Sequence, residues 1–355
     1  MRSQNRNGTL DFIKTVAAVC IAMHHYQQVT GVSFENGINF YGGYISWGYL
    51  VELFFIISGL LTYKYVAAIS DRKISFVQWY KKKAIRLLPM TAISAAVYTL
   101  ACNYYQKLRT VSRFYIFDKR ITFKDFLVTA LGLQDGYGFD VSRPNSPLWY
   151  ISVFITCSVI FYLITRFATV LKIKPEVLYM AMVLVGVWVY STQMNTFLAT
   201  YNTSRGYYSF FTGVLMASAE NAIKNNRKLM VLSCAVIAVF AVMLATKPPF
   251  LVPIANYILT FVLYPVIIVV AYNGKVAQLF AGRIWGELGA ISFSIYIWHI
   301  PMLLISFIMC DMQIIELNFA SVKTVAVYMI AVALVGVISW YGIEKPLNKL
   351  LFKNK

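Results

Sequence analysis

A chain of 355 residues that is 59% hydrophobic and only 13% charged carries about half the charge expected of a soluble domain, where roughly a quarter of residues are charged, and reads as a membrane protein rather than a large soluble core. A net charge of +18 would suggest nucleic acid in a soluble chain; here the basic residues cluster between apolar runs, a topology signal that argues against a nucleic-acid partner. The five cysteines, Cys20, Cys102, Cys157, Cys234 and Cys310, lie in or at the ends of apolar runs without a CxxC pair, so small core residues are expected and neither a disulfide framework nor a metal site.

Ten segments are long and apolar enough to cross a bilayer, near residues 10–29, 47–69, 84–105, 147–168, 176–192, 205–220, 229–246, 251–272, 289–310 and 322–342. The first is not a cleaved leader, because His24, His25, Gln27 and Gln28 lie at its far end and no small-residue cleavage motif follows. The connection 106–146 is the long one, polar, with a short helix expected around Phe123–Leu133. With the N-terminus inside, 22 of the 32 Lys and Arg fall on the inner side. This bias predicts both termini in the cytoplasm and the 106–146 loop outside. With no internal repeat, low-complexity tract or linker, residues 1–355 are expected to form one all-α polytopic membrane bundle of about ten helices, with no fused soluble domain.

Within the first segment Lys14 and His25 are eleven residues apart. Eleven residues advance a helix by roughly 1100°, about 20° past three turns, and by about 16 Å along the axis. Both side chains therefore share one stripe that spans half a bilayer core, and intramembrane ionisable groups mark functional sites or buried pairs. His24 is about 80° off that stripe and is expected to pack or to sit at the interface. Glu52 lies at the depth of His25, either as the carboxylate that orients an imidazole base or as its structural partner. Lys81, Lys82, Lys83 and Arg86 enter the third segment. The first two are ordinary anchors, whereas Lys83 and Arg86, three residues apart on one face, converge in depth with Lys14 as a candidate polyanion site.

His299, in Trp298-His299-Ile300-Pro301, is mid-span beside a proline that frees a carbonyl. It is read as a substrate contact or a satisfied buried histidine before a catalytic one. Glu344 ends the last segment, where an ion pair with Arg86 or Lys83 is expected. Tyr41, Tyr44, Trp47, Trp79 and Tyr80 fit an interfacial belt. Asp135, Tyr137, Asp140 and Arg143, with Tyr41 and Tyr44, are places where a sugar could be read, or ordinary surface.

These blocks resemble the acyltransferase-3 integral membrane acyltransferases, which include bacterial glycan O-acetyltransferases. The family's Arg-x10-His is matched by Lys14 and His25, its acidic-Leu-Phe-Phe-x-x-Ser-Gly stretch by Glu52 to Gly59 with Ser58, and its Arg-x-x-Arg-x-x-Pro segment by Lys83, Arg86 and Pro89. Pro147-Leu148-Trp149 followed by Ser152, Phe210-Phe211-Thr212-Gly213, Ser294 to Pro301 and Ile343-Glu344-Lys345-Pro346 are similar to its later blocks. Lysine at Lys14 and Lys83 keeps the charge of the usual arginine and loses its fork. Phe154 stands where many members carry an acid.

The resemblance implies acetyl-CoA as donor, no metal, and transfer to a hydroxyl of a cell-surface or lipid-linked glycan at the cytoplasmic membrane of a bacterium. In that picture Lys14, Lys83 and Arg86 hold the CoA phosphates and His25 acts as base or transient acyl carrier, oriented by Glu52. Ser58, Trp149, Ser152, His299 and Glu344 serve as substrate or structural support. A transporter or flippase, and an acetyltransferase for a small-molecule acceptor, are the alternatives.

Overall fold

The computed structural model describes residues 7–34, 37, 39–108, 120–224 and 226–352. Arg2, Arg6, Lys353 and Lys355 of the charge argument, and residues 109–119 of the long connection, lie outside them. Among the described residues the chain is a helical bundle without a β-strand. Eight of its helices are long and apolar enough to cross a membrane by length and composition, and they coincide with eight of the ten expected segments.

The other two segments also fold as helices: α1, Gly8–Thr30, and the sixth segment, Tyr201–Ser218. They fall short in composition because they carry the polar groups: Asp11, Lys14, His24, His25, Gln27 and Gln28 on α1, and Asn202 and Arg205 on the other. Residues 203–211 are buried without a break. A helix enclosed by protein can carry polar side chains that lipid would reject. By contrast Arg227–Thr246 buries only Ser233 and Phe240 and turns its remaining apolar surface outward.

The remaining helices used below are α2 (Leu50–Thr62), α3 (Phe76–Leu108), α4 (Phe123–Ala130), α5 (Trp149–Leu171), α6 (Pro175–Thr192), α7 (the Tyr201–Ser218 helix), α8 (Arg227–Thr246), α9 (Leu251–Ile258), α10 (Tyr264–Ala271), α11 (Arg283–Asp311) and α12 (Val322–Ser339). Their ends follow from capping. Asn7 accepts from the N–H groups of Thr9 and Leu10, and Gly31, at φ 65°, closes α1 by donating to the Gln27 carbonyl. α3 starts eight residues before the apolar run suggests. Ser75 and Gln78 form a reciprocal cap, Gln78 N–H to Ser75 Oγ at 3.3 Å and Ser75 N–H to Gln78 Oε1 at 2.9 Å, which places Lys81 to Arg86 on the helix itself. Thr122 and Asp125 build a capping box for α4, which ends at Ala130, shorter than expected.

Two parallel helix pairs organise the bundle. α2 lies against α7, where a methyl on Gly59 would strike the Phe210 carbonyl and one on Gly213 the Ile56 carbonyl. Only glycine permits backbones that close, the small-residue packing of membrane helices. α1 lies against α11, with Gly289 making room for the Asp11 side chain. Prolines shape the rest. Pro301 has no N–H for the Ile297 carbonyl one turn back, and that oxygen instead accepts from Ser94 Oγ at 2.8 Å and Asn145 Nδ2 at 2.8 Å. Two π turns, Leu259–Leu263 and Trp340–Glu344, each end two residues before a proline, Pro265 and Pro346. A widened turn accommodates a residue that cannot donate.

Two side-chain placements differ from expectation. Trp79 is fully buried and donates Nε1–H to the Ser158 carbonyl at 2.9 Å, so it belongs to the core and not to an interfacial belt. Cys102 and Cys157 are core residues, whereas Cys234 is exposed on the outward face of α8.

Candidate active site

The α1–α11 packing brings together the two histidines that the sequence left apart. His25 Nδ1 and His299 Nε2 are 3.0 Å from one another, the two rings edge to edge with centroids 5.0 Å apart and 19° between planes. His299 is fully buried. His24 faces away: its Nδ1 is 3.0 Å from the Phe40 carbonyl, which accepts only, so the nitrogen carries the hydrogen. Gln27 fastens the same segment, accepting from the Phe40 and Tyr41 N–H groups at 2.7 and 2.9 Å and donating to the Val32 carbonyl at 3.2 Å. The chain after α1 is thereby folded back over the histidine end of the bundle. His24 is a packing residue, as its phase suggests.

Glu52 does not pair with His25. Its two oxygens accept from Arg205, Nε to Oε1 at 2.6 Å and Nη2 to Oε2 at 2.8 Å, and Tyr208 OH donates to Oε1 at 3.3 Å. The second Arg205 Nη2 bond goes to the Gly48 carbonyl at 3.1 Å, and the guanidinium lies over the Trp149 ring at 5.1 Å. Glycine contacts bring α7 against α2, and a forked cation outcompetes a neutral imidazole for a buried carboxylate. Arg205 was the missed residue. Its signal was an arginine at the very start of an expected span, where an intramembrane charge demands a partner.

From His299 a line of rings leads across the bundle: Tyr296 at 5.8 Å, Tyr150 at 5.6 Å from Tyr296, and Phe154 at 6.2 Å from Tyr150. Lys83 Nζ stands over the Phe154 ring at 5.2 Å and over Trp79 at 4.6 Å. Ser58 Oγ is 3.0 Å from Tyr150 OH. His25 and Tyr150 are each half-buried. Tyr150 and Tyr296 follow from no motif spacing; only α5 and α11 packing brings them together.

The cations divide differently from expectation. Lys83 donates to Thr62 Oγ1 at 3.4 Å, and Lys64 and Lys82 join it around the Tyr65 ring at 5.4 and 4.4 Å. Arg86 lies within electrostatic reach of Lys83. Among the described residues none of these four makes an ion pair, which is the arrangement a polyanion would complete. Lys14, instead, grips Asp11 at 2.6 Å. The Asp11 carboxylate three residues earlier on the same helix face is a signal the sequence offered. Glu344 accepts from Ser294 and from Ser339, with Arg86 the cation facing it. The expected direct ion pair is replaced by two hydroxyl bonds.

Other expected site residues build the walls. Ser152 Oγ accepts from the Gln134 N–H at 2.9 Å and ties the long connection to α5. Asp135 is buried and accepts from Thr200 and Asn202 at 2.8 and 2.7 Å, with Arg143 at 3.2 Å. Tyr137 OH meets Thr156 Oγ1 at 2.8 Å, and Tyr44 OH donates to the Pro248 carbonyl. These groups hold the loops at the histidine end together; Tyr41 stays exposed beside the His24 ring at 5.2 Å.

Comparison with known proteins agrees in scope with this architecture. A family model described as an acyltransferase domain matches residues 7–343. No curated protein and no solved structure matches the chain.

Proposed function

The chain belongs to the acyltransferase-3 family of membrane acyltransferases, and from that premise we propose that it moves an acetyl group from cytosolic acetyl-CoA to a hydroxyl of a cell-surface or lipid-linked glycan. The observation that carries the reading is the continuous line from the unpaired cations at Lys83 through Phe154, Tyr150 and Tyr296 to the His299–His25 pair. The charge bias along the sequence supports a cytoplasmic cation end; in this reading the chain sits in the cytoplasmic membrane of a bacterium, with the histidines toward its outer half.

In this mechanism Lys64, Lys82, Lys83 and Arg86 hold the CoA phosphates, and Lys14 supports them from α1 with Asp11 as its counter-ion. The pantetheine arm follows the line of rings, whose flat apolar faces and the Ser58–Tyr150 hydroxyl pair suit an extended amide-bearing chain. His25 takes the proton of the acceptor hydroxyl. The oxygen then attacks the thioester carbonyl, the carbon–sulfur bond breaks, and the imidazolium returns its proton to the departing thiolate. Glu52 acts on this chemistry through Arg205 and the start of α2, as a positioning residue. The family assignment favours this enzyme over the transporter reading.

The test is thiol release by the purified protein with acetyl-CoA and a glycan acceptor. His25→Ala should lower kcat by about 100-fold or more, the range for loss of a general base, while remaining folded. Lys83→Met should chiefly raise the KM for the donor, because its contact is the same in ground and transition states. Full activity in His25→Ala would overturn the proposal.

A further inference from the structure

We infer that Arg205 is a catalytic residue, whose Nη1 donates to the oxyanion formed when the acceptor oxygen attacks the thioester carbonyl; this rests on the acyl-transfer reading above. Arg205 has more donors than its partners use. Nε and one hydrogen of Nη2 go to the two oxygens of Glu52, and the other hydrogen of Nη2 goes to the Gly48 carbonyl at 3.1 Å. A guanidinium carries five N–H bonds, so the two on Nη1 remain. Among the described residues they meet no acceptor, and Nη1 is not one of the unpartnered atoms sealed in packed protein. The side chain keeps 10% of its surface accessible. On a side chain otherwise gripped so closely, two bare charge-assisted donors are a place for a ligand oxygen.

These donors lie beside the histidine pair. The Gly48 carbonyl that holds Nη2 belongs to the residue on which His24 packs: a methyl on Gly48 would lie 2.9 Å from His24 Nε2, and the His24 ring is 5.1 Å from that of His25. On the other flank the guanidinium lies over Trp149. Two residues earlier the Pro147 carbonyl accepts from Tyr296 OH at 2.6 Å, and the Tyr296 ring is 5.8 Å from His299. Contacts therefore run from Arg205 to His25 by way of Gly48 and His24, and to His299 by way of Trp149 and Tyr296.

The arrangement suits a charge that develops, not one already present. Glu52 offsets the guanidinium charge, so a permanently anionic group gains little there. A carbonyl oxygen that becomes charged in the transition state meets two N–H bonds that need no rearrangement. A relay keeps them in place. Asn256 Nδ2 donates to Tyr208 OH at 2.5 Å, Tyr208 OH donates to Glu52, and Glu52 holds the guanidinium edge, with the Tyr201 ring packed on it at 5.6 Å. In the step itself the acceptor oxygen bonds to the thioester carbon as His25 takes its proton. The carbonyl π pair moves onto the oxygen, which accepts from Nη1. When that pair returns, the carbon–sulfur bond breaks and the thiolate takes the proton from His25. Arg205 keeps its hydrogens throughout.

The experiment must separate the donor from the support that Arg205 gives the fold. Full-length protein in lipid is assayed for thiol release from acetyl-CoA, with maltopentaose or water as acceptor, and the competent fraction is counted by acetyl-CoA binding. Glu52→Leu combined with Arg205→Leu removes the pair as a unit. Each binding-competent molecule should then turn over about 100- to 1,000-fold more slowly, as after loss of one oxyanion donor. The donor KM should stay within about threefold, because the contact forms only in the transition state. Glu52→Gln keeps the guanidinium and one oxygen to hold it, and its loss of kcat should be about tenfold smaller than that of the double variant. Arg205→Lys keeps a cation on Glu52 but has no Nη1. It should match the double variant in kcat, and it carries the test where the double variant does not fold. A kcat within about tenfold of wild type in either, per competent molecule, would overturn the inference, as would losses that simply follow the unfolding midpoints. Absence of thiol release from the wild-type protein would instead strike the acyl-transfer reading, and this inference with it.

Discussion

Asn145 supplies the hydrogen bond that Pro301 withholds: its amide donates at 2.8 Å to the Ile297 carbonyl, which Pro301 cannot serve from one turn ahead. Asn145 is fully buried in the left-handed region at φ 50° and also reaches Ser94 Oγ at 2.6 Å. Residues of the long connection, α3 and α11 thus meet at one oxygen, two residues before His299. Asn145→Ala should cost about 1–3 kcal/mol, the penalty for stripping partners from buried polar groups. In a Pro301→Ala background, where position 301 can donate again, the same change should cost less. Thermal unfolding of the four proteins in detergent gives the cycle, and equal costs in both backgrounds would refute the link.

The Glu52–Arg205 pair makes a sharper prediction. Both side chains are buried, and truncating one leaves the other as an uncompensated charge worth about 3–5 kcal/mol. Arg205→Leu should therefore lower the unfolding midpoint severely, and adding Glu52→Leu should recover part of the loss. Arg205→Lys should fall between, since an ammonium cannot span both oxygens at 2.6 and 2.8 Å. A double variant no more stable than the Arg205 single would show that the charge pair is not what holds α7 to α2.

Acid sensitivity should appear in the long connection. Burial pushes the Asp125 carboxyl up, but the N–H and hydroxyl of Thr122, the Ser142 N–H and the nearby Lys124 outweigh it and hold the group below the ordinary value of 3.8. A carboxyl depressed by folding contributes stability that is complete above its unfolded value and is lost as pH falls through the folded one. Asp125→Asn should cost about 1 kcal/mol at neutral pH, the usual value of such a cap. It should also flatten the loss of stability between about pH 5 and pH 2. Unfolding midpoints measured across that range check both, and parallel curves would refute the assignment.

Much of the fold was legible because apolar run length and cation spacing are local properties: eight of the ten expected segments lie on helices whose bounds differ by a few residues, α3 starts earlier because its cap is polar, and α11 starts at Arg283, ahead of the apolar run. The Lys14–His25 stripe was legible for the same reason, as helical phase needs no partner. Pairing was not. Glu52 and His25 share a depth, yet depth says nothing of azimuth, and the glycine contacts of α2 with α7 turned Glu52 toward Arg205. His299 was visible as a buried histidine, but its link to His25 depends on α1 and α11 running side by side. The group of four cations around Lys83 was half visible: Lys83 and Arg86 follow from spacing, while Lys64 arrives from the turn after α2.

The π turn at Trp340–Glu344 has a consequence for variation in length. Each residue in a helix adds about 100° of rotation, so a turn holding one extra residue rotates everything beyond it relative to a plain helix. Glu344 is the last residue of that turn and faces Ser294. Removing a single residue there, even a bland one such as Gly342, would swing the carboxylate away from its hydroxyl partners while leaving a longer stretch of regular helix. At this position the count of residues, and not their identity alone, is under constraint.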